Sequence, residues 1–259
     1  MAAACGGGPN GPSLTKTDRS PNSPPIDERC LATSRGLVRE IKSRVSNVSV
    51  VNAPGTAVGA LLAALPGDTL RRLKIYERLL NKWQRAVNLV GPSALDELWV
   101  RHFADSLQVA DAVPSARRWL DLGSGAGFPG LVTAVKLAGE PGAVVHLVES
   151  NRRKCAFLRE AARETGAPVI VHCGRIEDIV PALDGPFDAV SARAVALLPT
   201  LIAYADKFLA EGAVGVFPKG KGFAAELTQT LTEGKYSITA MESKTDPAAR
   251  LILVRQRRT

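Results

Sequence analysis

Residue types able to do chemistry concentrate in the run DLGSGAGFPG at 121–130. Glycines at 123, 125 and 127 let a backbone turn tightly and approach a ligand, and a helix that follows offers its N-terminal amides. The spacing is G-x-G-x-G, not the G-x-G-x-x-G of dinucleotide sites, and Asp121 stands two positions before Gly123, where a pyrophosphate would be repelled. A carboxylate there suits the cationic amino or sulfonium group of S-adenosylmethionine. Glu149, 28 residues further on, closes the next apolar run, the usual place for a carboxylate that accepts ribose hydroxyls. Two other readings stay open: a tight turn with a helix-capping acid, and a nicotinamide site.

Further candidates lie near other segment ends. Arg193 in SARA can reach a cofactor carboxylate or a substrate, or pair with a helix acid, and Lys219 in FPKG can hold a phosphate or stand in solvent. His102, Asp105 and Ser106 are three and four apart and so share a helical face, either beside a ligand or in a polar network joining two parts of the chain. His146 and His172 read as strand residues, and Cys155 and Cys173 as packing residues.

These residues need a scaffold, and the hydrophobic pattern supplies one. From Asp68, Leu70, Leu73, Tyr76, Leu79, Leu80, Trp83 and Val87 recur at three- and four-residue steps, predicting an amphipathic helix. Its other face carries Arg71, Arg72, Lys74, Arg78, Lys82 and Arg85, a solvated face or a surface for phosphates. Gly91-Pro92 breaks the chain before a second helical segment from about Leu95 to Ala112. After Pro114, strand-like runs (RRWLDLG, AVVHLVE, PVIVHCG, FDAVSAR, AVGVFPKG) alternate with helical ones, and KYSITAMES and RLILVRQ close the chain as two strands. Such alternation predicts an α/β fold, a mainly parallel sheet covered by helices on both faces.

Composition bounds the rest. The 259 residues are 46% hydrophobic and 22% charged, which excludes disorder throughout, and no run of about 18 apolar residues exists to span a membrane. The net charge of +8 is uneven: 1–54 hold seven bases and four acids, 250–259 hold four bases and no acid, and the remainder is nearly neutral. Residues 1–54, rich in Gly, Pro, Ser and Asn, read as a disordered leader without a secretory h-region. The expected division is therefore this leader, a helical extension over 55–113, and an α/β domain over 114–259. Four cysteines without metal spacing predict a reducing cytoplasm and no metal, and nothing calls for more than a monomer.

The segments NLVGPSALDELWVRHFADSL, WLDLGSGAGFPG, VES, GRIED, SARAVA and FPKG, in this order over roughly 68–255, resemble the RsmG (GidB-like) methyltransferases. The resemblance implies a class I S-adenosylmethionine-dependent methyltransferase, Rossmann-like with a seven-stranded sheet and a helical N-terminal extension. Its partner would be 16S ribosomal RNA or the small ribosomal subunit, and its acceptor N7 of a guanine in the decoding-region loop. Residue by residue, it carries cofactor contacts onto Gly123, Phe128, Ile176, Glu177 and Arg193. With Asp121, Gly125, Gly127 and Glu149 these make the expected cofactor set, and Arg193, Lys219 and His102 the expected catalytic one.

Absent motifs fit that acceptor. Exocyclic amine methylation commonly uses [N/D]-P-P-[Y/F] after the fourth strand, where this chain has Ser191-Ala192-Arg193-Ala194, and no Pro-Cys supplies a nucleophile for cytosine C5. Guanine N7 has an in-plane lone pair and loses no proton, so in-line transfer needs no general base. Alignment alone can supply up to about 7 to 11 kcal/mol. The competing expectations are methylation of another acceptor, including ribose 2′-hydroxyls, and a cofactor-retaining RNA-binding assembly module without turnover.

Overall fold

The computed structural model describes residues 54–91, 95–230 and 235–257, and the expected disordered leader lies outside the described residues. Two helices open the described chain, α1 (Pro54–Ala63) and α2 (Gly67–Gln84). In α2 the three- and four-residue spacing buries Leu70, Leu73, Tyr76 and Leu80, while Leu79 and Trp83 are half-buried at the edge of that face. The segment expected as one helix from Leu95 to Ala112 is a π-helix over Leu98–Ala104 that runs into α3 (Asp105–Asp111).

The α/β part follows the predicted alternation. β1 (Arg118–Leu122) leads to α4 (Gly130–Lys136), β2 (Val144–Glu149) to α5 (Arg152–Thr165), and β3 (Val169–Cys173) to the short α6 (Ile176–Ile179). β4 (Ala189–Ala192), α7 (Leu198–Ala210), β5 (Val214–Lys219), α8 (Phe223–Thr230), β6 (Tyr236–Glu242) and β7 (Arg250–Gln256) complete it. Local chemistry sets several ends. Asn151 caps α5 by accepting from the Arg153 and Lys154 amides, and Gly166 at φ 61° ends it in the left-handed region.

The seven strands are ordered β3-β2-β1-β4-β5-β7-β6, with β7 antiparallel to both neighbours and the other pairs parallel. One apolar cluster joins α1, α2, the π-helix and α3 to one sheet face, with Leu73, Tyr76, Phe103, Leu131 and Phe157 fully buried in it. A second cluster fills the opposite face under α7, around Leu122, Phe208 and Phe217. The helices before β1 thus share a core with the sheet. Their removal would expose a whole buried face, at about 25 cal/mol for each Å².

Candidate active site

The turn after β1 and the ends of β2 and β4 meet at the carboxyl edge of the sheet, where α/β folds place ligands. Gly123, Gly125 and Gly127 lie at φ 66°, 57° and 97°, values that disfavour any side chain. A Cβ on Gly123 would fall 2.5 Å from Val195 Cγ2, and one on Gly127 the same distance from the Tyr76 hydroxyl. At Gly125 a Cβ would meet nothing nearer than the Gly123 carbonyl at 3.8 Å, so the backbone there is open to a ligand. Tyr76, reaching in from α2, donates its hydroxyl to the Ala126 carbonyl.

Glu149 ties the loop to β2. Its Oε2 accepts from the Gly125 amide at 2.8 Å and its Oε1 from the Asn151 amide at 2.7 Å. A carboxylate has about four acceptor positions, so two remain for hydroxyls. Asp121 sits elsewhere than expected of a direct ligand contact. It is wholly buried beneath the loop, level with Ser191 on β4, whose hydroxyl donates to Oδ1 at 2.7 Å. Both faces of β1 are covered, so inward and outward residues look alike in its sequence. Burial pushes the Asp121 carboxyl up to about 6, against the Ser191 hydrogen bond that pulls it down.

Arg193 is held from four sides. It donates to the Arg101 carbonyl at 3.1 Å, Asp105 Oδ2 at 3.3 Å and His102 Nδ1 at 2.7 Å, and its guanidinium lies 5.3 Å from the Phe128 ring centre. An arginine can only donate, so His102 Nδ1 must accept and the neutral ring carries its proton on Nε2. Burial, then Arg193 and Arg101, push His102 down to about 4. Its ring stacks on Phe128 at 4.7 Å and 24°, and Tyr76 stacks against the same ring. Phe128 is therefore enclosed by side chains and not spread along an open wall. Three of the five guanidinium N–H groups are used; the Nε–H and one Nη2–H have no partner among the described residues.

Asp105 has a second task that spacing does not reveal: Oδ1 accepts from Gln108 at 2.7 Å and from Thr245, in the β6–β7 turn, at 2.9 Å. Ser106 is buried but does not join this cluster. Lys219 matches neither expectation. It is neither a solvent lysine nor a free phosphate ligand, because it donates to the Ala196 carbonyl at 2.7 Å and pairs with Glu226 at 2.8 Å, its side chain 11% exposed. Glu226 also accepts from the Leu198 amide at 2.7 Å, so this pair clamps the loop after β4. In that loop Ala194 adopts φ 57°, a strained value for a residue with a side chain.

Ile176 and Glu177 begin α6 beyond β3; Glu177 is exposed and accepts from the Tyr204 hydroxyl. His146 and His172 pair with each other on neighbouring strands, ring nitrogens 3.0 Å apart, away from Arg193. Cys155 is buried and Cys173 exposed, both free thiols. Sequence reasoning missed Tyr76 as a loop contact, Glu226, Ser191 and Thr245. Only Ser191 carried a signal, as the polar residue near the end of β4 two positions before Arg193. Beside Arg193 opens a cleft of about 880 Å³ lined by Arg101, Asp105, Lys219, Thr245 and Arg250 among others.

This strand order, with a glycine turn after β1 and a carboxylate ending β2, defines a class I S-adenosylmethionine-dependent methyltransferase. The fold matches cofactor-bound Rv0187 from MTB (TM-score 0.54, 21% identity, 81% of this chain and 99% of that one). It also matches an O-methyltransferase from Bacillus cereus solved in complex with SAH (TM-score 0.53, 17% identity, 84% and 97%). Residues 69–248 match the model of the GidB family, rRNA small subunit methyltransferase G. A Methylorubrum populi protein named ribosomal RNA small subunit methyltransferase G is 50% identical over 187 residues, covering 72% of this chain and 88% of that protein. The chain belongs to the GidB family.

Proposed function

We propose that this chain transfers the methyl group of S-adenosylmethionine to N7 of a guanine in 16S ribosomal RNA, free or within the small ribosomal subunit. The observation that carries the reading is Arg193. It is fixed at the edge of an open cleft by His102 and Asp105, the two titratable groups beside it, both of which are committed to holding it. Such a site suits an acceptor that gives up no proton.

When bound, S-adenosylmethionine supplies an electrophilic methyl on a sulfonium. The open backbone at Gly125 and the free acceptor positions of Glu149 fit this group: Gly123, Gly125 and Gly127 would hold it along the loop and Glu149 its ribose hydroxyls. Ile176 and Glu177 would lie on its adenine side. Arg193 would direct its two remaining N–H groups to the cofactor carboxylate or to guanine O6, leaving N7 exposed to attack. Asp121 and Phe128 act beneath the loop as positioning residues, and Lys219 and His102 as positioning residues for the Arg193 loop. On this reading residues 55–113 form the extension that aims Arg193, and 114–259 the methyltransferase domain. Among the described residues no helix is long and apolar enough to cross a membrane and no group of three or more His, Cys, Asp or Glu could hold a metal. The reading places the enzyme in the cytoplasm as a monomer working without a metal.

Incubation with tritiated S-adenosylmethionine and small subunits or extracted RNA, followed by mapping of the product, tests this. Label on guanine N7 is expected; label absent from RNA, or on ribose, would overturn the reading.

A further inference from the structure

Positive charge at the sheet's carboxyl edge is divided unequally between two places. Around the cleft most arginines and lysines already have carboxylates: Arg101 with Glu97, Arg193 with Asp105, Lys219 with Glu226, and Arg250 with Glu242 at 4.0 Å. Helices α2 and α5 present the contrast. They run antiparallel, since Arg72 donates to the Thr165 carbonyl at one end while Lys82 reaches Glu160 at 3.5 Å and Trp83 meets Phe157 nearer the other. At the first end the charge is neutralised, Arg71 and Arg72 both pairing with Asp68. Towards the other end Arg78 is exposed on α2 and Arg85 is exposed just past its last residue, seven apart and so on one face where the helical backbone continues. Arg152, Arg153 and Lys154 open α5, about a turn before the Phe157 that meets Trp83. None of these five has a carboxylate partner among the described residues.

This crest borders the glycine loop, because α5 begins three residues after Glu149, which holds the Gly125 amide. The α5 amides are already capped by Asn151, so any attraction comes from the side chains. Five unpaired cations over two helix ends suit a polyanion with spaced charges better than a single small anion. Resting on the reading of the acceptor as ribosomal RNA, we propose that Arg78, Arg85, Arg152, Arg153 and Lys154 form the docking surface for RNA phosphates flanking the target nucleotide. The cleft then receives the base, and the crest sets affinity and orientation without sequence readout.

The test compares the full chain with the variant Arg85→Gln, Arg152→Gln, Arg153→Gln, Lys154→Gln. Binding to extracted small-subunit ribosomal RNA is measured between 50 and 300 mM salt, and methyl transfer in parallel. Each phosphate contact contributes about 0.7 to 0.9 to the slope of log affinity against log salt, so loss of four should flatten it by roughly 3. RNA KM should rise tenfold or more, with kcat at saturation and cofactor affinity within about twofold of wild type. The control Arg71→Gln, Arg163→Gln, which removes cations with carboxylate partners, should change the slope by less than about 1. An unchanged slope and KM in the fourfold variant, with cofactor binding intact, would overturn the surface. A control that flattens the slope equally would overturn its placement. Both results come from direct binding, so they stand apart from a failure of wild-type methylation, which would instead reject the proposed function.

Discussion

Burial of the Asp121 carboxylate should make the chain lose stability as pH rises through the mildly acidic range. Its carboxyl is raised from an ordinary 3.8 to about 6, so between about pH 4 and 6 the folded chain keeps a proton that the unfolded chain has released. With more protons on the folded form, stability falls as pH rises. At roughly 1.4 kcal/mol for each tenfold change in proton affinity, the gap reaches about 3 kcal/mol by pH 7. Asp121→Asn keeps the shape and the acceptor for Ser191 but carries no charge. Its altered hydrogen bonding adds a constant penalty of about 1 kcal/mol that does not vary with pH. The stability of the variant relative to wild type should therefore improve by on the order of 2 kcal/mol between pH 4 and 7. Carboxylates with lowered values, such as Asp68 and Asp206, are common to both chains and cancel in the comparison. Urea unfolding of both chains across this range measures it. A difference that stays level with pH, or shifts the other way, would refute the account of Asp121 as a charge held under the loop at a cost.

Other outcomes follow from the same geometry. Gly127→Ala must place a Cβ 2.5 Å from the Tyr76 hydroxyl and 2.8 Å from Leu131 Cβ at a positive φ. It should cost about 2 kcal/mol or more and abolish cofactor binding, as thermal melts and calorimetry will report. Tyr76→Phe keeps the ring stack and loses the hydrogen bond to Ala126, so a loss of about 1 kcal/mol with a few-fold weaker cofactor affinity is expected from the same measurements. Arg193→Ala should lower turnover at saturating cofactor and RNA by tenfold or more and, by leaving Asp105 Oδ2 and His102 Nδ1 without their donor, lower stability by about 1 to 3 kcal/mol while the chain stays folded. Because His102 is pushed down to about 4, it is neutral above that value, and kcat should be level from pH 6 to 8; a pH–rate profile that breaks near 6.5 would contradict this.

Much of the scaffold was legible because local signals agreed with the fold. The Val- and Leu-rich strands β1 and β2 fall within a residue or so of the bounds predicted from RRWLDLG and AVVHLVE. The glycine loop could be read because positive φ leaves a mark in composition. What stayed hidden depends on side chains that meet across long stretches of chain. Thr245 reaches Asp105 from 140 residues away, and Lys219 is claimed by Glu226 only because the turn after β5 lays α8 against it. Asp121 and a residue facing a ligand would look the same in a strand covered on both sides.

The π-helix at Leu98–Ala104 makes chain length itself a determinant of the site. Trp99 must face α2, where its indole donates to Glu77 at 3.0 Å and its ring meets Phe103, while His102 three residues on must face Arg193 and Phe128. A wider turn with one more residue to its hydrogen-bonded ring separates those two directions. Deleting a single residue between them would return the segment to α-helical winding and force a choice, leaving either the indole without its anchor or the arginine without its histidine. An indel of one at this point should therefore do more harm than any conservative substitution there. The extra residue in the turn acts as a spacer whose worth lies in being counted, whichever side chain it bears.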